Sequence, residues 1–404
     1  MQLFSNKFLF VTIFATFVSF MGNELSAMAT GSPCDQKRLL IIGDMYPETN
    51  DKRGAIGGTE AVVWRVRDIL QKRGWTVKIW GHADLQDNYK ARLGNFFFGG
   101  SFTYKILEKE IKEFNPHHIF IPLLGPIARA AAQFCRDNNI PCTGFNSCRS
   151  LQCAALNAGI PLALAGQLSD GSDGFLHNVS NVVVPSASMR DEESVRGIKN
   201  VIAWPHGVDS GEYPLATPEQ KADARLRCGL EGKQGPFVLW VGRMSREKNL
   251  DDFLNARMPG TKIVVGPAGS GYDLDALRSR YPEIVFAGRQ VGLDLLKWYH
   301  AADIFVFTSK IDTFGLVMLE AAATGLPIVG FNTCGPRDVV PAGCGISYLA
   351  DLNGISDLER CARRVWNDLE RGVVTPAMCR AHAALFSWDR AIDQLVNDVL
   401  IKIK

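Results

Sequence analysis

Several common signatures are missing from this chain of 404 residues. Lysine plus arginine (44) and aspartate plus glutamate (42) nearly cancel, and the formal charge of +2 gives no reason to expect nucleic acid. The cysteines, at 34, 135, 142, 148, 153, 228, 334, 344, 361 and 379, form no C-x-x-C pair, so neither a zinc knuckle nor a thioredoxin-like motif is indicated. Their scatter fits reduced core thiols better than a disulfide framework, although 10 is enough to keep bridges open. The apolar run Phe8 to Met21 is short for a spanning helix. Preceded by Lys7 and followed by Ala27-Met-Ala29, it has the form of a secretory signal peptide over residues 1–29, with an uncleaved N-terminal anchor as the alternative. The localisation this implies is secreted or periplasmic, or membrane-associated through the anchor.

The rest of the chain is long enough for two domains of ordinary size. Arg38-Leu-Leu-Ile-Ile-Gly-Asp44 reads as a buried strand leading into a loop from Met45 to Gly57. Gly57-Gly58-Thr59-Glu60 then opens a helix with Val62, Val63, Val66, Ile69 and Leu70 at helical spacing. A glycine-rich loop between first strand and first helix opens many doubly wound nucleotide folds, but this one is not G-x-G-x-x-G, so a dinucleotide is a poor expectation. Further strands are expected at Thr76–Trp80, His118–Pro122, Cys142–Phe145 and Val182–Val184, with helices near 103–114 and 126–138. Strand and helix alternate, which predicts an α/β fold with parallel sheets covered on both faces. Pro214, Pro218, Gly229 and Gly232 interrupt the alternation between Gly211 and Gly235 and mark a domain boundary. A second sheet is expected from Pro236–Val241, Lys262–Gly266 and Ile284–Phe286, and a last helix from about Trp388 to Ile401.

The stretch that organises the second half runs from Asp303 to Phe331. Ile304–Phe307 suits a buried parallel strand, Leu316–Thr324 carries no helix breaker, and Gly325-Leu-Pro327 turns into another strand. This is one βαβ unit whose loop faces the carboxyl edge, where open parallel sheets bind ligands. With Gly315 at the helix start, the backbone N–H groups of Leu316 and Val317 and the positive end of the helix dipole favour a phosphate. Asp312 just before the helix and Glu320 a turn inside it can flank the same molecule and accept hydrogen bonds from a sugar and a ribose. The alternative is a solvated Asp, an ordinary helix Glu and a packing Gly.

Asp312-Thr-Phe-Gly-Leu-Val-Met-Leu-Glu320, followed by Ala-x-x-x-Gly-Leu-Pro, resembles the E-x7-E signature of family 4 (group 1) retaining glycosyltransferases, with Asp in place of the first Glu. Val241-Gly-Arg-Met-Ser-Arg-Glu-Lys-Asn249 resembles the family's G-R-x-x-x-x-K-N loop, and His206-Gly-Val-Asp209 its N-G-V-D hinge. The likeness covers roughly residues 183 to 390. It implies a GT-B architecture of two facing Rossmann-like doubly wound domains. These would be an acceptor-side domain over 36–212, a nucleotide-sugar domain over 213–387, and a C-terminal helix over 388–404 crossing back to the first domain.

The resemblance also assigns roles. Arg243 and Lys248 would neutralise the diphosphate of a nucleoside diphosphate sugar, Glu320 hold the ribose and Asp312 the donor sugar. The second-domain loops, with Gly242, Arg289, Phe314, Gly315, Leu316 and Val317, would surround the donor. Gly57 and Gly58 would approach its phosphates or the acceptor. Retention by front-face attack needs no protein nucleophile. Asp273-Leu-Asp275 reads as a helix cap, so no metal and no other cofactor are expected. Where related members often carry Tyr-His-Thr, this chain has Phe145-Asn146-Ser147, so the resemblance supplies no catalytic His there. His117, His118 and His206 read as structural.

The partners expected are a nucleotide-sugar donor and a lipid or glycan acceptor. The apolar segment Asn95–Phe102 adds peripheral membrane contact as a further expectation. Two competing readings remain. One is an epimerase or phosphorylase on the same architecture; the other is a secreted carbohydrate-binding protein of this fold without turnover.

Overall fold

The computed structural model describes residues 37–43, 58–81, 101–122, 125–161, 164, 174–269, 271–352 and 354–401. The leader, Gly57 and residues 95–100 lie outside them. Two parallel sheets of six strands each form two lobes. The first comprises β1 (Arg38–Ile42), β2 (Thr76–Trp80), β3 (His118–Pro122), β4 (Cys142–Phe145), β5 (Asn181–Val184) and β6 (Val201–Ala203), in the order β2-β1-β3-β4-β5-β6. The second comprises β7 (Phe237–Val241), β8 (Thr261–Val265), β9 (Val285–Gly288), β10 (Ile304–Phe307), β11 (Ile328–Phe331) and β12 (Ser347–Ala350), in the order β12-β11-β10-β7-β8-β9.

The central strands read as near-continuous apolar runs because helices cover both faces. Leu39–Ile42 and Val238–Leu239 are completely buried, as are Ile304–Val306. In the second sheet β8 and β9 lie on one side of β7, while β10 to β12 lie on the other. The direction of winding therefore reverses between β7 and β10, and a crevice opens at their carboxyl ends. The loop carrying Arg243 and Lys248 leaves β7, and the loop carrying Asp312 leaves β10.

Three elements depart from the sequence expectation. β6 and β12 are short edge strands, one in each sheet, half-buried in large part, and their sequences lack the long apolar signal of a central strand. The last helix is regular only over Trp388–Leu395 and continues as a π turn over Val396–Leu400.

This C-terminal segment crosses to the first lobe, where Ile392, Leu395, Val399 and Leu400 share a core with Leu39, Ile41 and Trp204. Arg73 pairs with Asp389 at 2.7 Å and Asp393 at 2.6 Å, and Trp204 Nε1 donates to the carbonyl of Ala391 at 2.7 Å. At the crossing, a Cβ on Gly207 would lie 2.2 Å from the backbone N of Trp388, so no larger residue fits there. The cysteines among the described residues are all free thiols. No described helix is long and apolar enough to cross a membrane.

Candidate active site

The crevice of the second lobe is built by fastening two loops together. After β7 the chain forms a single 3-10 turn, Arg246–Lys248, closed by Asn249 in the left-handed region at φ 52°. Among residues with a side chain, Asn and Asp take that conformation most readily. Residues just beyond β10 hold this turn. Thr308 Oγ1 donates to the carbonyl of Lys248 at 3.0 Å, and Ser309 Oγ to that of Glu247 at 3.0 Å. Asn249 Nδ2 donates to the carbonyl of Thr308 at 3.1 Å, and Trp240 Nε1 to Thr308 Oγ1 at 3.0 Å. The turn is thereby aimed at the next loop, where Lys248 Nζ meets Asp312 Oδ2 at 2.5 Å.

Burial alone would raise the pKa of Asp312 and lower that of Lys248. The charge of the partner and the hydrogen bond between them outweigh it in both, so Asp312 is held below the usual carboxylate range and Lys248 above that of a free lysine. The amides of Phe314 and Thr313 also favour the Asp312 carboxylate. Arg243, on the same loop as Lys248, is exposed and reaches Glu247 at 2.8 Å, a carboxylate that is itself buried.

Gly315 caps the Leu316–Ala323 helix at φ 83°, ψ 67°. A Cβ there would lie 2.7 Å from Met318 Cε and 2.9 Å from Phe307 Cζ, in a backbone region where side chains are already strained, so glycine is required twice over. Leu316 and Val317 are half-buried at the helix start. One turn on, Glu320 Oε2 accepts from Tyr299 Oη at 2.8 Å, and Tyr213 also hydrogen-bonds to it. Burial pushes its pKa up, and the two phenols partly offset that. Arg380 fixes Tyr213 by donating to the carbonyls of Tyr213, Ser210 and Ala323, the last at the end of the Glu320 helix.

The structure thus brings Lys248 and Asp312 into contact, sets Arg243 on the same loop, and places Glu320 a turn into the helix that Gly315 opens. Gly242 lies at the end of β7, its amide donating to the carbonyl of Val265 at 3.0 Å. Arg289 is exposed just past β9, three strands along from β10. The Phe314 ring is buried between lobes, 4.9 Å from His206. Gly58 begins the Gly58–Lys72 helix of the first lobe. Asp273 caps Leu274–Arg280, accepting from the Ala276 amide at 2.7 Å.

None of Thr308, Ser309, Tyr213, Tyr299 and Arg380 was singled out by sequence. The first two stand directly after β10 and follow from asking what holds its loop. The others come from distant segments and leave no local pattern. Histidine behaves as structure: His118 Nε2 and Thr143 Oγ1 lie 2.9 Å apart, and His206 is enclosed by Phe145, Trp204, Phe314 and Trp388.

Comparison with solved structures identifies the fold. The structure of Anabaena Alr3699/HepE in complex with UDP and glucose superposes with a TM-score of 0.67 at 16% identity, covering 91% of this chain and all (100%) of that one. WaaG, a glycosyltransferase involved in lipopolysaccharide biosynthesis, gives 0.63 at 14% identity over 90% of this chain and 100% of its own. The chain has the GT-B fold.

Within this GT-B chain, residues 235–368 match the family described as glycosyl transferases group 1, a segment that holds both the Arg243–Lys248 loop and the Asp312–Glu320 stretch. A GDP-mannose-dependent alpha-mannosyltransferase of Mycobacterium tuberculosis is 32% identical over 167 residues, 41% of this chain and 43% of that protein. The sulfoquinovosyl transferase SQD2 of Arabidopsis thaliana is 28% identical over 233 residues, 55% of this chain and 45% of its own. The chain spans about half the length of the curated relatives it matches first.

Proposed function

We propose that this protein is a retaining glycosyltransferase that moves a hexose from a nucleoside diphosphate sugar to a lipid or glycan acceptor. The observation that carries the reading is the pairing of Lys248 with Asp312 beside the glycine-capped start of the Leu316–Ala323 helix. Sugar transfer requires charge to be neutralised on the diphosphate as the anomeric C–O bond breaks and positive charge grows on the sugar. Preorganised charge and amide dipoles at the leaving group supply much of that stabilisation.

In this reading the Leu316 and Val317 amides and Lys248 take the diphosphate, and Arg243 swings from Glu247 to add a second cation. Glu320 takes the ribose hydroxyls and Asp312 the sugar hydroxyls. The acceptor hydroxyl attacks the face that the diphosphate leaves, giving its proton to the departing phosphate oxygen, so configuration is kept without a protein nucleophile. Gly57 and Gly58 approach the phosphates or the acceptor from the first lobe, and Gly242, Phe314, Gly315 and Arg289 contribute backbone around the donor. No metal is required. Donors and nucleotide ligands named among the relatives and neighbours include GDP-mannose, UDP, UDP-glucose and ADP, and these set the first trials.

The test is incubation of the purified chain with UDP-glucose, GDP-mannose and other sugar nucleotides, scoring release of free nucleotide and thermal stabilisation together. One donor is expected to give both. Stabilisation without turnover points instead to a binding protein of this fold, and neither effect across the set refutes the donor site.

A further inference from the structure

We infer that the first lobe sets the position of the Asp312 carboxylate, with Thr313 as the positioning residue through which it does so. This rests on the transfer reading above. The loop from β10 to Gly315 changes allegiance along its length. Thr308 and Ser309 are bonded to the second lobe's own turn. From Ile311 on, the partners come from both lobes: the Gly335 amide donates to the Asp312 carbonyl at 3.0 Å within the second lobe, while the first lobe holds the residues on either side. Arg149 Nη1 donates to the carbonyl of Ile311 at 3.4 Å, Thr313 Oγ1 donates to the carbonyl of Ser147 at 2.5 Å, and the Phe314 ring packs on His206. Asp312 is therefore flanked on both sides by residues held by the opposite lobe, while its carboxylate points to Lys248.

The clamp is rigid at its far end. Arg149 is itself paired with Glu192, and its side chain is largely buried. The Ser147 hydroxyl lies 2.5 Å from Thr59 Oγ1, in the first turn of the Gly58–Lys72 helix. Ser147 thus meets Thr59 through its hydroxyl and Thr313, the residue beside Asp312, through its carbonyl. Thr313 is buried, so water does not readily replace its hydroxyl. The arrangement also answers the substitution of Asp for Glu at 312. A carboxylate one methylene shorter has less reach, and its placement depends more closely on the loop that carries it. Misplacement of a reacting group by about 1 Å can cost about 100-fold in rate.

Two variants separate this role from simple packing. Thr313→Val keeps the shape and removes the donor, and Thr313→Ser restores it. With the sugar nucleotide that wild type turns over, Thr313→Val is expected to lower kcat by about tenfold or more. Its affinity for the nucleoside diphosphate should stay within about twofold, since Lys248 and Glu320 are untouched. Thr313→Ser should recover most of kcat. Hydrogen exchange of the unliganded chain gives a second measure that needs no turnover: peptides covering 310–316 should exchange about tenfold faster in Thr313→Val and at the wild-type rate in Thr313→Ser.

Wild-type kcat in Thr313→Val, equal loss in both variants, or unchanged exchange in Thr313→Val would each overturn the inference. A wild-type chain that turns over no sugar nucleotide overturns the transfer reading and with it the catalytic purpose of the clamp. The exchange rates then still decide whether the clamp exists, so the two failures are told apart.

Discussion

At the residue scale, Lys248 and Asp312 matter because each makes the other's charge tolerable where burial disfavours both. Lys248→Ala removes one cation from the leaving group and leaves a largely buried carboxylate without its partner. Transfer is expected to fall by about 100-fold or more, and unfolding free energy by about 1–3 kcal/mol, below the roughly 3–5 kcal/mol of a fully buried broken pair because Lys248 is partly exposed. Steady-state kinetics and urea unfolding on the same preparation check both. Glu320→Gln keeps the shape and removes the charged acceptor, so nucleotide-dependent thermal stabilisation should be lost while the free protein melts near the wild-type temperature.

His206 supplies the pH dependence. Its Nδ1 is buried without a partner, and burial pushes its pKa down to about 3, while His118 is pushed down to about 4 by the same cause. In the unfolded chain both titrate near 6.5, so between that value and the folded pKa the unfolded state holds the extra protons. Their contribution to stability is therefore complete above about pH 6.5 and falls as the pH drops, by about 1.4 kcal/mol per pH unit for each histidine. Urea unfolding at pH 7 and pH 5 should show a loss that His206→Phe reduces by about 2 kcal/mol.

At the scale of the element, the helix that opens at Gly315 is the most exacting part of the molecule. Gly315→Ala is expected to cost about 1–3 kcal/mol of stability and to weaken nucleotide binding together with it, because the clash with Met318 and Phe307 displaces the first-turn amides. Thermal melts with and without nucleoside diphosphate measure both effects. This helix was also the most legible in sequence. Its strand, glycine cap, carboxylate spacing and exit turn are all local, and local signals survive in a one-dimensional reading. β6 and β12 were not legible, because a short edge strand takes its identity from the neighbour it pairs with. Tyr299, Tyr213 and Arg380 were hidden for a related reason: they reach Glu320 or its helix from other segments, and no spacing rule connects them.

For the whole molecule, the two lobes are joined by buried contacts as well as by chain connectivity. The C-terminal segment belongs in sequence to the second lobe and in packing to the first. Ending the chain at Phe386 would expose the surfaces that Ile392, Leu395, Val399 and Leu400 cover, each worth about 1.5–3 kcal/mol of burial. The first lobe is then expected to lose its cooperative melt, while the second keeps one, as scanning calorimetry would show.

The central claim is that Arg243, Lys248, Glu320 and the amides after Gly315 converge on one nucleotide. A crystal structure of the chain with a bound nucleoside diphosphate tests it most directly. The account predicts the terminal phosphate on the Leu316 and Val317 amides, the ribose on Glu320, and Arg243 and Lys248 turned toward the diphosphate. A nucleotide seated elsewhere, or one that leaves Glu320 bound only to its tyrosines, would contradict it.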